Sequence, residues 1–314
     1  MENKSDHANK VVIAICTYQR PNKLREALIS VRDLVIPTDL RAHLVVVDNS
    51  PSEDVRSVFD QETKELPFSA EYAIESNRGI VHARNKALEV AGKNDADYIA
   101  FFDDDDYVDK HWLKELWNCA KRYSATVVSG RVRYFWPAAC ELSEDVRRVY
   151  DNAMSNMQTG TERRSSSTCN TLFDISFSQK HNLRFHLRLN LTGGEDSYFF
   201  ESMYLLGAKI VWCEEAKVYS QIDPARANHE FVFRRRYNVG YTAYIIDSLL
   251  YGKLLALWKS FKYLIDIGVR TLFNLFRSGE KVRIRTRRRM NEAKGRIDAM
   301  LGKKFESYKE SDGN

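Results

Sequence analysis

Four consecutive aspartates, Asp103 to Asp106, follow directly on the apolar run Tyr98 to Phe102. Like charges held this close repel, and a cation among them relieves the cost. Carboxylate oxygens are hard ligands of the kind Mg2+ or Mn2+ takes. Such an ion keeps several waters and bridges to substrate phosphates, so one or two carboxylates suffice. The run therefore predicts a metal–diphosphate site, with a solvated acidic turn as the plainer alternative. Two registers are open, Asp103 with Asp105 or Asp104 with Asp106. The first is preferred because Asp103 directly follows the apolar run.

Other polar residues stand in the same position, at the ends of apolar runs. Thr17-Tyr18-Gln19-Arg20 ends Val11 to Thr17, and Asp48-Asn49 ends Leu44 to Val47. Asn77-Arg78-Gly79 precedes a helical pattern carrying Arg84 and Asn85, and a helix entering at Gly79 can offer its first amides to an anion. Gly193-Gly194-Glu195-Asp196 opens another helical stretch. A carboxylate there can take a proton from a hydroxyl, or it can simply favour the first turn of a helix. Arg226 and Arg234-Arg235-Arg236 suit bidentate phosphate contacts. Three adjacent residues cannot share one helix face, so one or two of the triplet can reach a ligand. His229 reads as a surface histidine. Taken singly, Asp48 is a turn residue and Arg84 a solvated helix position; their common placement beside strand ends argues for a ligand.

The elements that must position these residues alternate. Short apolar runs at Val11 to Thr17, Leu44 to Val47 and Tyr98 to Phe102 read as buried strands, and Phe68 to Ile74 and Thr126 to Ser129 as further candidate strands. Helical patterns follow Pro21, run from Ile80 to a stop at Gly92, and span His111 to Tyr123. Alternation over the first 130 residues predicts a doubly wound, mostly parallel sheet, in which ligands sit beyond the carboxyl ends of the strands. From Ser165 to Tyr219 the pattern is mixed, with a helix beginning near Glu195, and from Phe231 onward it is helical.

The series Thr17-Tyr18-Gln19-Arg20-Pro21, Val47-Asp48-Asn49-Ser50, Asn77-Arg78-Gly79 with Ala83-Arg84-Asn85, Phe102-Asp103-Asp104-Asp105 and Gly193-Gly194-Glu195-Asp196 resembles glycosyltransferase family 2. One acid-x-acid motif is weak evidence, whereas five motifs in the family's order, over roughly residues 11 to 240, are strong. The resemblance implies an α/β, GT-A nucleotide-diphospho-sugar transferase fold with a helical C-terminal extension. Residues 1–240 would form the catalytic domain, with 11–130 its donor-nucleotide half and 131–240 its acceptor half, and 241–314 the helical, basic, amphipathic remainder. It also implies roles. Thr17, Tyr18 and Arg20 would line the nucleobase and ribose pocket, and Asp48 would accept from the base, most often uracil in the family. Asn77, Arg84 and Asn85 would hold the ribose and diphosphate side. Asp103 would lean towards the ribose with Asp104 beside it, and Asp105 would take the metal, Mn2+ or Mg2+, with Asp103. Asp196 would be the base, supported by Glu195, and Arg226, Arg235 and Arg236 would serve the diphosphate or acceptor. The implied reaction is a single in-line displacement that inverts the anomeric carbon of a nucleoside-diphosphate sugar.

Five scattered cysteines (Cys16, Cys119, Cys140, Cys169, Cys213), odd in number and without a CxxC pair, fit a reducing compartment. Met1 to Lys10 is too polar for a signal peptide, and nothing is long and apolar enough for a membrane span, so a cytoplasmic protein is expected. The net charge of +5 is unevenly spread: from Arg277 to Lys304 eleven cations stand against three carboxylates, leaving a mildly acidic body. Just before it, Leu250, Leu254, Leu257, Trp258, Phe261, Leu264, Ile265, Leu272, Leu275 and Phe276 recur at helical spacing, interrupted by Lys259, Lys262, Asp266 and Arg270. This segment suits helices packed on the catalytic domain, an interface in a homo-oligomer, or a peripheral contact with anionic lipid on the cytoplasmic face of the inner membrane. Nucleic-acid binding would leave the acidic motifs unexplained. The layout resembles bacterial exopolysaccharide transferases of the succinoglycan type, which implies a saccharide or polyprenyl-diphosphate-linked saccharide acceptor. The rivals are a sugar-nucleotide pyrophosphorylase, disfavoured because Thr17 to Pro21 contains no glycine, and a non-catalytic sugar-nucleotide sensor or membrane scaffold.

Overall fold

The computed structural model describes residues 8–50, 52–136, 146–147, 150, 157–275 and 279–306. Pro51, Cys140, Phe276 and Arg277 lie outside these, as do the side chains of Leu275 and Lys281. By compactness the chain divides into two units. The first comprises Met1–Phe135, Ala153–Leu187 and Phe199–Gln221, and the second Trp136–Asn152, Arg188–Tyr198 and Ile222–Asn314.

The first unit is built on a mixed sheet. Strands β1 (Asn9–Thr17), β2 (Leu40–Asp48), β3 (Ser69–Ile74) and β4 (Tyr98–Phe102) pair in parallel in the order β3-β2-β1-β4. Helices α1 (Pro21–Arg32), α2 (Glu53–Glu62) and α3 (Ile80–Lys93) make the crossovers. The apolar run of β1 is continuous because both of its faces are covered. Val11, Ile13 and Ile15 point into one core with α1 and α2, while Val12 and Ala14 point into the other with α3. Beyond β4 the sheet continues through β5 (Asp106–Val108), β6 (Val127–Phe135), β7 (Glu162–Arg163), β8 (Asn170–Asp174) and β9 (Ile210–Gln221), with α4 (Trp112–Tyr123) and α5 (Ile175–Lys180) alongside. β8 runs antiparallel between β4 and β6, and β6 returns to a parallel pairing with β9.

The expected strands and helices are present, with three differences. α3 runs through Gly92 to Lys93 instead of stopping at the glycine, because Gly92 is accommodated inside a helix whose buried face, from Val81 to Ala91, is already committed. The strand expected at Thr126 to Ser129 extends to Phe135, held by its partner β9. Helix α2, capped by the Ser52 side chain accepting from the Val55 amide, was not evident from a segment rich in charge.

The second unit is helical. α6 (Glu195–Leu205) begins within it, and α7 (His229–Tyr251), α8 (Lys253–Leu275) and α9 (Glu280–Met300) make up most of it. A Cβ at Gly240 would come within 1.9 Å of the Glu292 carbonyl oxygen, and one at Gly295 within 2.0 Å of the Tyr237 carbonyl oxygen. Only glycine lets the α7 and α9 backbones approach this closely. Asp247 of α7 accepts from Lys259 of α8 and from Arg296 of α9, the latter at 2.8 Å, so one buried carboxylate ties the three helices together.

Candidate active site

The parallel register sets the site. Thr17 pairs with Asp48 and Asp48 with Ile74, so the ends of β1, β2 and β3 lie side by side, and β4 delivers the aspartate run next to β1. Thr17 is buried and its hydroxyl donates to Asp104 Oδ2 at 2.7 Å. Arg20, which precedes the first turn of α1, reaches Asp104 at 3.4 Å and Asp105 at 3.5 Å. Arg84 projects from α3 with 8% of its side chain exposed and lies 3.6 Å from Asp103 Oδ1. Thr17, Arg20, Arg84 and the carboxylates thus come together as expected. Tyr18 stands nearby under the Arg78 guanidinium, 5.4 Å from the ring centre.

The aspartates divide differently from the expectation. Asp104 is buried beneath the site with Thr17 and Arg20, whereas Asp103, Asp105 and Asp106 can each turn a carboxylate oxygen to within 4.8 Å of one another. Asp106 belongs to the register that was not preferred. It is 4% exposed, and its Oδ1 has no hydrogen-bond partner. Burial, together with the charges of Asp103 and Asp105, pushes the Asp106 carboxyl up to about 9. Burial and the neighbouring Asp105 push Asp104 up to about 7, against the pull of Arg20 and the Thr17 hydroxyl. Three oxygen donors, a buried oxygen without a partner and mutual repulsion fit a hard divalent cation. The nearby Cys16 thiol is raised by burial to about 12 and offers no nucleophile at neutral pH.

Asp48 has no exposed surface. Its Oδ1 accepts from the Ser50 amide at 2.9 Å and its Oδ2 from the Tyr72 hydroxyl. The adjacent Asn49, given no role of its own beyond the polar end of β2, organises the loop between β3 and α3. Its amide donates to the carbonyls of Glu75 (2.9 Å) and Asn77 (2.7 Å), and its Oδ1 accepts from the Gly79 amide at 2.6 Å. Gly79 takes φ 127°, open to glycine alone, to turn the chain into α3. Asn77 is exposed, its side chain held by Glu75.

Two expected residues are committed elsewhere. The Asn85 amide donates to the Phe185 carbonyl and accepts from the Phe185 amide, both at 2.9 Å, which fastens the 185 segment to α3 instead of facing the carboxylates. Arg236 is paired with Glu292 of α9. This ion pair links α7 to α9. In the second unit, Glu195 (2% exposed) and the half-buried Asp196 occupy the first turn of α6, and Asp196 Oδ1 accepts from the Ser197 amide at 2.7 Å. Arg235 is exposed, 5.7 Å over the Tyr150 ring, and the Arg226 carbonyl accepts from the Tyr150 hydroxyl. His229 stacks on Phe233.

Comparison with known proteins agrees with this geometry. The model of the family described as "Glycosyl transferase family 2" matches residues 12–174, more than half of the chain. Over 257 residues the chain is 31% identical to the succinoglycan biosynthesis protein ExoM of Rhizobium meliloti (strain 1021), covering 82% of this chain and 77% of that one. It is 24% identical over 217 residues to the glycosyltransferase GlyA of Streptococcus pneumoniae serotype 4 (strain ATCC BAA-334 / TIGR4), spanning 66% of this chain and 30% of that protein. Among solved structures it is similar to the mannosyltransferase PcManGT of Pyrobaculum calidifontis in complex with GDP-Man and Mn2+ (TM-score 0.61, 15% identity, 95% of this chain and 91% of that one). It is also similar to S. aureus TarS 1-349 in complex with UDP-GlcNAc (TM-score 0.54, 15% identity, 94% and 93%). At 15% identity these structures attest the GT-A-like fold alone. The motifs, the fold and the matched residues agree: the chain belongs to glycosyltransferase family 2.

Proposed function

We propose that this glycosyltransferase moves one sugar, with inversion, from a UDP-sugar to a hydroxyl of a lipid-linked saccharide during bacterial surface polysaccharide synthesis, at the cytoplasmic face of the inner membrane. The observation that carries the reading is the carboxylate group at the end of β4, with the orphaned Asp106 Oδ1 and with Arg20 and Arg84 beside it. Asp103, Asp105 and Asp106 would hold Mn2+ or Mg2+. The bound ion would supply positive charge for the departing diphosphate. Arg84 is half-neutralised by Asp103 and is available to a phosphate once that carboxylate turns to the ion. Thr17 and Arg20 keep Asp104 fixed below, so the floor of the site does not shift when the donor enters. Asp48, Asn49 and Asn77 shape the base and ribose side. Asp196 is the proposed base, taking the proton of the acceptor hydroxyl. A role in polysaccharide synthesis is supported by the likeness to the succinoglycan biosynthesis protein ExoM, and uracil by the UDP-GlcNAc held by TarS.

A nucleotide-release screen of the full chain tests this. UDP-, GDP- and dTDP-sugars are supplied with Mn2+, Mg2+ or chelator and with polyprenyl-linked acceptors. Release of UDP that needs both ion and acceptor supports the reading. Release indifferent to chelator, or none from any donor, contradicts it.

A further inference from the structure

Helix α8 is two-sided. Its inner edge holds Ala256, Ser260 and Ile267, all buried, and Lys259 is pinned by Asp247. Its other side exposes Leu254 (85%), Trp258 (56%), Phe261 (63%), Ile265 (51%), Leu272 (59%) and Phe273 (66%). The steps of four, three and four residues from Leu254 to Ile265, and seven more to Leu272, keep these five side chains on one stripe, with Phe273 about 100° round from it. Along this helix of 23 residues the stripe from Leu254 to Leu272 runs roughly 27 Å. An exposed apolar surface of this size marks a site of association.

Charge decides what covers it. α8 carries four cations and one carboxylate, and α9 eight cations and three carboxylates. The exposed Lys262 ammonium sits 4.5 Å over the Trp258 ring, at the edge of the stripe. A second copy laid on the same stripe would bring two strongly basic surfaces together. An anionic bilayer complements them, adding attraction for each cation near the surface to the burial of the apolar side chains. Among the described residues no helix is long and apolar enough to cross a membrane. Lys259, Lys262, Asp266 and Arg270 recur along α8, so it can only lie along the surface.

We propose that α8 docks on anionic phospholipid, with Leu254, Trp258, Phe261, Ile265, Leu272 and Phe273 entering the headgroup–acyl boundary and Lys262 at its rim. This deepens the functional reading and rests on it only for the benefit of meeting a lipid-linked acceptor; the docking itself does not need it.

The test is co-sedimentation of the full chain with vesicles of phosphatidylcholine alone or mixed with phosphatidylglycerol. The expected result is binding to the mixed vesicles that weakens with salt, with a change in tryptophan emission that Trp258→Phe removes without losing binding. The exposed triple substitution Trp258→Ser, Phe261→Ser and Phe273→Ser should weaken binding by roughly tenfold or more at unchanged melting temperature and unchanged affinity for UDP. Undiminished vesicle binding by the triple variant overturns the proposal. So does a wild-type chain that ignores vesicles but sediments as a dimer which the triple variant dissolves. Vesicle binding without any nucleotide release would instead reject the functional reading and leave the docking face standing.

Discussion

The Asp48 carboxylate shows how much of the site depends on single partners. It is wholly buried, and the Tyr72 hydroxyl satisfies one of its oxygens. Removing that hydroxyl strands a buried acceptor, which costs about 1–3 kcal/mol. Tyr72→Phe should therefore lower stability in urea denaturation by that amount. If Asp48 positions the base, the KM for donor should also rise several-fold with kcat held. Unchanged stability would show that the hydroxyl is replaceable by water. At this scale the sequence was informative about type and less so about direction. Asp103 and Asp105 were legible because they follow a buried strand and alternate along it. Asp106 was not, because its burial comes from β9, which pairs with β5 more than 100 residues later in the chain. Arg84 and Asn85 are neighbours in sequence, but about 100° apart on a helix. One meets Asp103 and the other the Phe185 backbone.

Elements carry the next layer. The loop from β3 into α3 is held by three hydrogen bonds to a single buried side chain, Asn49 at the end of β2, and that loop launches α3 with Arg84 on it. Asn49→Ala leaves two carbonyls and one amide without partners, so the 75–79 loop should loosen. Donor affinity should fall roughly tenfold by titration, and amide exchange at Gly79 should quicken. Retained affinity with retained protection would mean the loop is held by its own backbone. The parallel strands β1, β2 and β4 were readable from their apolar runs, and the edge strand β3, with Ser69 and Glu71 in it, less plainly so. The antiparallel β8 between β4 and β6 was not, since a strand buried on both faces reads the same in either direction. Nor was the pairing of Arg236 with Glu292, which depends on how α7 and α9 cross and not on local spacing.

For the molecule as a whole, the buried carboxylates couple stability to protons and to the ion. Asp104 and Asp106 are raised to about 7 and about 9, while in the unfolded chain they ionise in the ordinary carboxylate range. Between these limits the folded state binds more protons than the unfolded one. Its advantage is full below the ordinary range and is lost as pH rises through the raised values. The melting temperature of metal-free protein should fall from about pH 6 to about pH 9. Mn2+ should raise it more at the alkaline end, where fewer protons compete for the carboxylates. A metal-free melting temperature that climbs over that range would mean these groups are already ionised in the fold.

The most direct measurement is ion-dependent release of UDP from a UDP-sugar by the double variant Asp103→Asn, Asp105→Asn beside the unaltered chain, with Mn2+ binding followed by electron paramagnetic resonance on the same samples. With the carboxylates at the tip of β4 holding a cation against the donor's phosphates, Mn2+ binding should vanish and turnover should fall by roughly 100-fold or more. Equal turnover and equal Mn2+ binding by the two proteins would contradict that arrangement.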